Sequence, residues 1–292
     1  MKKKLRIAFF GTPQFSVDIL DELQKKGIVP SVIVTVPDAP QGRGLMLASP
    51  EVKVWAEEHG IETLQPETLR LNFTEDIARD ILYNSEWDLF VVASYGKILP
   101  KELLEIPTYG TLNVHPSLLP HYRGASPIRS SILDDNKDAV GVTIMLLDAG
   151  MDTGPIVAQG RVDVEEWPPH AETLERLLAH EGGELLAEVI PLWVKKEITP
   201  EAQDATHVTF SKKITKEMGE LKLSDDPYQN YIKIRGLEGW PGTFFFIEKN
   251  GKSLRIKITD ASFENGVLTI LSVIPEGKKE MLYEDFARSH PH

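Results

Sequence analysis

Short apolar runs alternate with stretches of helical period over the first two thirds of the chain, and this alternation restricts the fold more than any other feature. Residues 5–10 form an apolar run that ends in Gly11-Thr12-Pro13. Val17, Ile19, Leu20 and Leu23 follow at helical spacing, with a stop at Gly27. The unit of strand, tight turn and helix recurs. Residues 32–36 read as a strand, residues 52–58 as a helix closed by Gly60, and Ile77, Ile81 and Leu82 mark a further helix. Residues 89–93 and 112–115 read as buried strands, 141–147 and 156–164 as two more, and the apolar positions between Leu174 and Trp193 as a long closing helix. Parallel neighbours need a crossover, usually helical, so alternating strands and helices imply a mostly parallel sheet covered on both faces.

The expected fold class is therefore α/β, with a Rossmann-like N-terminal domain. Such sheets bind ligands outside the carboxyl ends of their strands. After Glu197 the texture changes to a polar stretch around Pro200 without sustained period, read as a linker over 198–212. Beyond it, residues 244–247 and 254–258 flank Asn250-Gly251, and residues 267–274 follow Asn265-Gly266, both strong hairpin signals. The expected organisation is a catalytic domain over 1–197 and a small β-barrel (OB-like), or partly open β-domain, over 213–292.

A chain of 292 residues with 41% hydrophobic residues has material for two cores. The absence of cysteine excludes disulfides, thiolate metal sites and a cysteine nucleophile. No apolar stretch has the length of a membrane span, and the basic start lacks the apolar region of a secretion signal, so a cytoplasmic location is expected. A monomer is also expected. The net charge of −12 disfavours indiscriminate binding to a phosphate backbone. The charge is uneven: residues 206–292 carry 13 basic and 12 acidic side chains, the rest 19 against 32. A nucleic-acid contact should be local and favour the C-terminal part.

The chemistry concentrates in two segments. In Thr111-Leu112-Asn113-Val114-His115-Pro116, a strand sends Asn113 and His115 to one face and Val114 to the other, and Pro116 ends regular pairing. Two polar side chains then converge at the end of an apolar strand. The second segment, Leu147-Asp148-Ala149-Gly150-Met151-Asp152-Thr153-Gly154-Pro155, lies between two strands, and its glycines permit a tight excursion that presents a carboxylate. Amide, imidazole and carboxylate together make a set suited to acyl transfer.

Asn-x-His-Pro-Ser-Leu-Leu-Pro followed by Asp-x-Gly-x-Asp-Thr-Gly resembles the signature of the folate-dependent formyltransferases, over nearly the whole chain. The resemblance implies that Asn113, His115 and Asp152 are the catalytic trio and that the formyl donor is 10-formyltetrahydrofolate. It also implies that Ser117, Leu118, Leu119 and Pro120 form the tetrahydrofolate-binding stretch. Ser94, Tyr95, Gly96, Lys97, Ile98 and Leu99, together with the loop of Asp148, would surround the pterin ring. Three further segments resemble the members of that family that act on initiator methionyl-tRNA. One is Val36-Pro37-Asp38-Ala39-Pro40-Gln41-Gly42-Arg43-Gly44, similar to the loop that enters the acceptor stem, although Leu45 and Met46 stand where that loop carries two lysines. The others are Ile214-Thr215-Lys216-Glu217 with Ile234-Arg235-Gly236 and Gly239-Trp240-Pro241-Gly242, and Gly277-Lys278-Lys279-Glu280-Met281 with Phe286. Arg43, Lys212, Lys213, Lys216 and Arg235 are the candidate tRNA-contacting cations.

Simpler readings account for other features. His121 has no third partner at ligand spacing, so no metal site is expected. Gly11-Thr12-Pro13 lacks the spacing of a dinucleotide or phosphate loop, and Ser94 and Ser117 lack the flanking of a nucleophile elbow. His59, His170 and His180 read as surface residues, and 244–246 as core. A formyltransferase for a nucleotide-linked amino sugar would share the trio, and Gly42-Arg43-Gly44 argues against it. A glycinamide ribonucleotide transformylase would leave 206–292 without a role, and a non-catalytic folate or RNA module would not need all three polar groups.

Overall fold

The structure is a computed structural model that describes residues 4–41, 46–71, 75–249 and 251–289. The chain folds into two compact units. One comprises 1–123, 140–163 and 175–210, the other 124–139, 164–174 and 211–292. Both are discontinuous in sequence.

The first unit is built on a seven-stranded sheet. Its strands are β1 (Ile7–Gly11), β2 (Val32–Val34), β3 (Glu62–Leu64), β4 (Leu89–Ala93), β5 (Thr111–His115), β6 (Gly141–Leu146) and β7 (Ile156–Arg161). They lie in the order β7-β6-β5-β4-β1-β2-β3. The five strands from β3 to β5 are mutually parallel, whereas β6 and β7 run antiparallel at one edge. Every residue of β1, β4 and β5 is buried, which is why these strands read as continuous apolar runs and not as alternating ones. The mostly parallel sheet expected from the sequence is borne out. Helices α1 (Gln14–Lys25), α2 (Glu51–Glu58), α3 (Ile77–Asn84) and α4 (Ala171–Val194) connect and cover the strands.

The chain moves outward from β1 to β2 and β3, then crosses back to β4 on the other side of β1. A sheet of this type opens its crevice where the order reverses. Side chains of the β1–α1 turn tie that point together. Ser16 Oγ donates to the carbonyl of Ala93 at 2.6 Å, and Thr12 Oγ1 donates to that of Tyr95 at 2.9 Å. The apolar core on this side gathers Phe10, Val34, Leu82, Phe90, Tyr95 and Leu103. At Gly182 of α4 an added Cβ would lie 2.8 Å from Val114 Cγ1, so glycine lets the helix close directly onto β5.

The second unit contains α5 (Pro227–Gly236), β8 (Thr243–Lys249), β9 (Lys252–Glu264), β10 (Val267–Pro275), β11 (Met281–Leu282) and α6 (Tyr283–Ser289). The strands form an antiparallel sheet in the order β8-β9-β10-β11, and among the described residues the edges β8 and β11 do not pair with each other. The small β-domain is therefore open. Its core includes Leu221, Phe245, Ile256, Ile258, Val273 and Phe286. Helix α5, unforeseen in a region read as β-rich, begins with Pro227 behind Asp226, whose Oδ1 accepts from Gln229 N at 2.9 Å. Phe286, one of the residues that carry the resemblance, lies on α6. Among the described residues, no helix is long and apolar enough to cross a membrane.

Candidate functional site

Strand β5 lies between β4 and β6, so its carboxyl end is fixed from both sides. Asn113 pairs in register with Val92 and Met145, and His115 with Thr143. Asn113 and His115 are 8% and 4% exposed. Two polar groups are thus held, side by side along one face, at the end of a strand where burial makes each unmet hydrogen bond costly.

His115 Nε2 lies 3.1 Å from the carbonyl oxygen of Tyr122. A carbonyl only accepts, so Nε2 carries the hydrogen and, in the neutral ring, Nδ1 presents a lone pair. That Nδ1 is 3.8 Å from Asp152 Oδ1. Burial pushes the imidazole below the ordinary histidine range, against smaller upward pulls from the Asp152 carboxylate and the Tyr122 carbonyl. The ring is a neutral base at physiological pH, with a carboxylate placed to stabilise it once it takes a proton. Attraction to Asp152 alone would favour the protonated form; desolvation of a ring so deeply buried outweighs it.

The Ser117 to Pro120 stretch is pinned by one hydroxyl on β6. Thr143 Oγ1 donates to the Ser117 carbonyl at 2.6 Å and accepts from Leu119 N at 3.0 Å and from Gln159 Nε2 at 2.8 Å. Gln159 Nε2 also donates to the Leu119 carbonyl at 2.8 Å, and Ser117 Oγ donates to the carbonyl of His121 at 2.6 Å. Ser117 and Leu119 are buried; Leu118 and Pro120 are half-buried. Two residues beyond the stretch lies Tyr122, at φ +55°, whose carbonyl is the partner of His115.

Asp152 stands on the loop between β6 and β7 at φ +53°, in the left-handed region that L-residues rarely occupy. Two contacts hold the loop there. At Gly154 an added Cβ would lie 1.8 Å from the Leu146 carbonyl oxygen, so the backbone presses against the end of β6. The carbonyls of Asp152 and Gly154 both accept from Gln203 Nε2, at 2.8 and 2.7 Å. Asp148 Oδ1 accepts from Gly150 N at 3.0 Å and from Thr153 Oγ1 at 2.7 Å. Its carboxylate therefore braces the same loop.

After β4 the chain turns through Ser94 at φ +50° and Gly96 at φ +84°. Ser94, Gly96 and Ile98 are exposed, while Tyr95 and Leu99 enter the core. The Tyr95 hydroxyl is buried and has no hydrogen-bond partner among the described residues, and burial pushes its pKa up. Lys97 Nζ donates to the carbonyls of Pro66 and Glu67 at 2.9 and 3.0 Å, and partial burial lowers its pKa.

The candidate cations fall in different settings. Lys212, Lys213 and Lys216 are exposed. Arg235 is 8% exposed, donates to Tyr231 Oη at 2.7 Å and to Glu166 Oε1 at 3.1 Å, and lies over the Tyr231 ring, so its guanidinium is engaged inside its own unit. Gly42, Arg43, Gly44 and Leu45 lie outside the described residues; Met46 is exposed. His170 and His180, read as surface residues, each meet a carboxylate, Glu238 at 2.8 Å and Glu22 at 2.9 Å. Among the described residues no group of three or more acidic or histidine side chains is arranged to hold a metal ion.

Sequence reasoning missed Thr143, Gln159 and Gln203, which fix the loops around the trio. Thr143 faces the site from β6 directly opposite His115, and the pairing of those strands was its only signal. Gln203 carries no local signal at all, since it sits in the stretch without period.

Residues 5–190 match the model of the family described as formyl transferase. A methionyl-tRNA formyltransferase of Halalkalibacterium halodurans is 39% identical over 307 residues, covering 97% of this chain and 94% of its own. Among solved structures, a 4-N formyltransferase from Francisella tularensis superposes with a TM-score of 0.64 at 19% identity, over 88% of this chain and 98% of its own. A methionyl-tRNA formyltransferase from Clostridium thermocellum superposes at 0.58 and 21% identity, over 93% and 98%. The two structures support the fold; the family match and the near full-length identity place the chain in the formyl transferase family and, within it, among the methionyl-tRNA formyltransferases.

Proposed function

We propose that this chain transfers the formyl group of 10-formyltetrahydrofolate to the free amino group of initiator methionyl-tRNA, for the start of protein synthesis. The observation that carries the chemistry is the buried His115 imidazole with its Nδ1 3.8 Å from Asp152 Oδ1, beside Asn113 at the end of β5. The choice of acceptor is supported by the 39% identity to a relative named for that activity. The donor supplies an activated formyl carbon for direct attack by an amine, so no covalent enzyme intermediate is needed.

Asn113 donates its amide hydrogen to the formyl oxygen as negative charge develops there, a contact worth roughly 2.7–4 kcal/mol in comparable sites. His115 takes the proton that the attacking nitrogen sheds and returns it to the departing nitrogen. Asp152 stabilises the imidazolium between those two events. Thr143 and Gln159 keep the Ser117 to Pro120 stretch in the shape that receives the folate, and the turn from Ser94 to Leu99 together with the Asp148 loop borders the pterin ring. The first unit takes the catalytic role and the second unit the tRNA-binding role, with Arg43, Lys212, Lys213 and Lys216 contributing positive charge. Arg235 supports the second unit from within.

Purified protein incubated with 10-formyltetrahydrofolate and offered initiator methionyl-tRNA, an amino-sugar nucleotide or glycinamide ribonucleotide is expected to modify the charged tRNA alone. Exclusive formylation of the sugar would overturn the acceptor and leave the chemistry standing. No formylation of any acceptor would overturn both.

A further inference from the structure

The stretch 198–212, read from the sequence as a linker, makes a series of specific contacts within the first unit. Glu201 exchanges two backbone hydrogen bonds with Ile156 at the start of β7, at 2.7 and 2.8 Å. Thr209 Oγ1 accepts from Tyr122 N at 2.8 Å, its carbonyl accepts from Arg123 N at 3.0 Å, and its own N–H donates to the Pro120 carbonyl at 3.2 Å. Gln203 lies between these anchor points, with the contacts to the Asp152 and Gly154 carbonyls already described.

We infer that Gln203 is a positioning residue for the transfer reaction, one that fixes the backbone of Asp152 so that its carboxylate meets the imidazole of His115. The inference rests on the proposed roles of those two residues. The side-chain amide of Gln203 is satisfied at both ends. Its nitrogen donates to the two loop carbonyls, and its oxygen accepts from Arg123 Nε at 3.0 Å and Nη2 at 2.7 Å. Only one orientation of the amide permits this, because carbonyls cannot donate and a guanidinium cannot accept. The loop so held carries Asp152 in a left-handed conformation that an L-residue adopts only when its surroundings impose it. Leu146 presses on that loop from one side, and Gln203 supplies the directional bonds. Through Thr209 the same strap holds Tyr122, whose carbonyl orients His115. Both members of the imidazole–carboxylate pair are thereby indexed to one short segment far away in sequence.

The test compares the full chain with Gln203→Ala and Gln203→Glu. The glutamate keeps the side-chain length and the acceptor for Arg123 but has no N–H for the loop carbonyls. Both variants are expected to lose kcat on the order of 10- to 100-fold, with KM for the formyl donor within about twofold, as small misplacements of catalytic groups do. A displaced carboxylate also ceases to pull the His115 pKa upward, so the His115 titration, followed by NMR of nitrogen-labelled imidazoles, should move to lower pH in Gln203→Ala, which adds no charge of its own. A residue that merely supported the fold would leave that midpoint in place. Wild-type kcat in Gln203→Glu, or a lowered kcat with an unmoved titration in Gln203→Ala, overturns the inference. The NMR arm needs no turnover, so it stands even where the wild-type protein formylates nothing, an outcome that counts against the proposed function instead.

Discussion

Asn113 and His115 are held by a strand, whereas Asp152 is held by a loop. The strand β5 is buried at every position, hydrogen-bonded on both edges, and sends alternate side chains to opposite faces by its own geometry. The loop from Asp148 to Pro155 has no ladder. Its shape depends on the Asp148 carboxylate, on a glycine pressed against Leu146, and on an amide from Gln203. Groups placed by a strand come with the sheet at no further cost in order, while a group placed by a loop needs contacts from elsewhere to overcome the strain of its conformation. The trio thus joins a robust half and a dependent half.

The largest expected effect breaks the robust half chemically without disturbing it structurally. His115→Ala should lower kcat by about 100- to 10,000-fold, the range typical of a lost general base. Its thermal midpoint and far-UV spectrum should show the sheet intact. Turnover near that of the wild type would remove His115 from the chemistry.

A smaller effect should come from the dependent half, through a position that touches no substrate. Gly154→Ala drives a methyl group toward the Leu146 carbonyl, from which an ideal Cβ would be only 1.8 Å away, so the loop must shift. Such crowding costs about 1–3 kcal/mol of stability, and kcat should fall with it as Asp152 is displaced. If denaturant unfolding and kcat both match the wild type, the loop is more tolerant than its contacts imply and the contrast with β5 fails.

The smallest effect sharpens the comparison by pH. Burial lowers the pKa of His115, so the folded chain binds that proton less well than the unfolded chain. The corresponding stability is intact above the ordinary histidine value of about 6.5 and is lost as pH falls from there through the lowered folded value. Thermal midpoints recorded from about pH 8 to about pH 5 should decline less steeply in His115→Gln than in the wild type. Parallel declines would show that the imidazole is not the group responsible.

Much of this molecule was legible in its residues. Apolar runs such as 89–93 and 112–115 announced the buried strands, and Asn250-Gly251 and Asn265-Gly266 marked the hairpins of the second unit. The short strand β3 escaped notice because three residues give no period, and α5 because its apolar positions do not line one face. The exposed lysines at 212, 213 and 216 could be foreseen as surface charge, but Arg235 could not be told from them: only its neighbours Tyr231 and Glu166 make it an internal anchor.

The sequence by itself determined the chemical types and the faces: an amide and an imidazole two residues apart on a strand, a carboxylate among glycines, and a parallel sheet to carry them. These follow from local rules, since strand alternation and turn chemistry act between near neighbours. Tertiary structure alone decided how the parts meet. It set the antiparallel turn of β6 that brings Thr143 opposite His115, the depth of burial that keeps the imidazole neutral against the pull of Asp152, and the reach of Gln203 to a loop some fifty residues before it. Desolvation and long-range hydrogen bonds depend on which surfaces are brought together, and no local pattern in the chain encodes that.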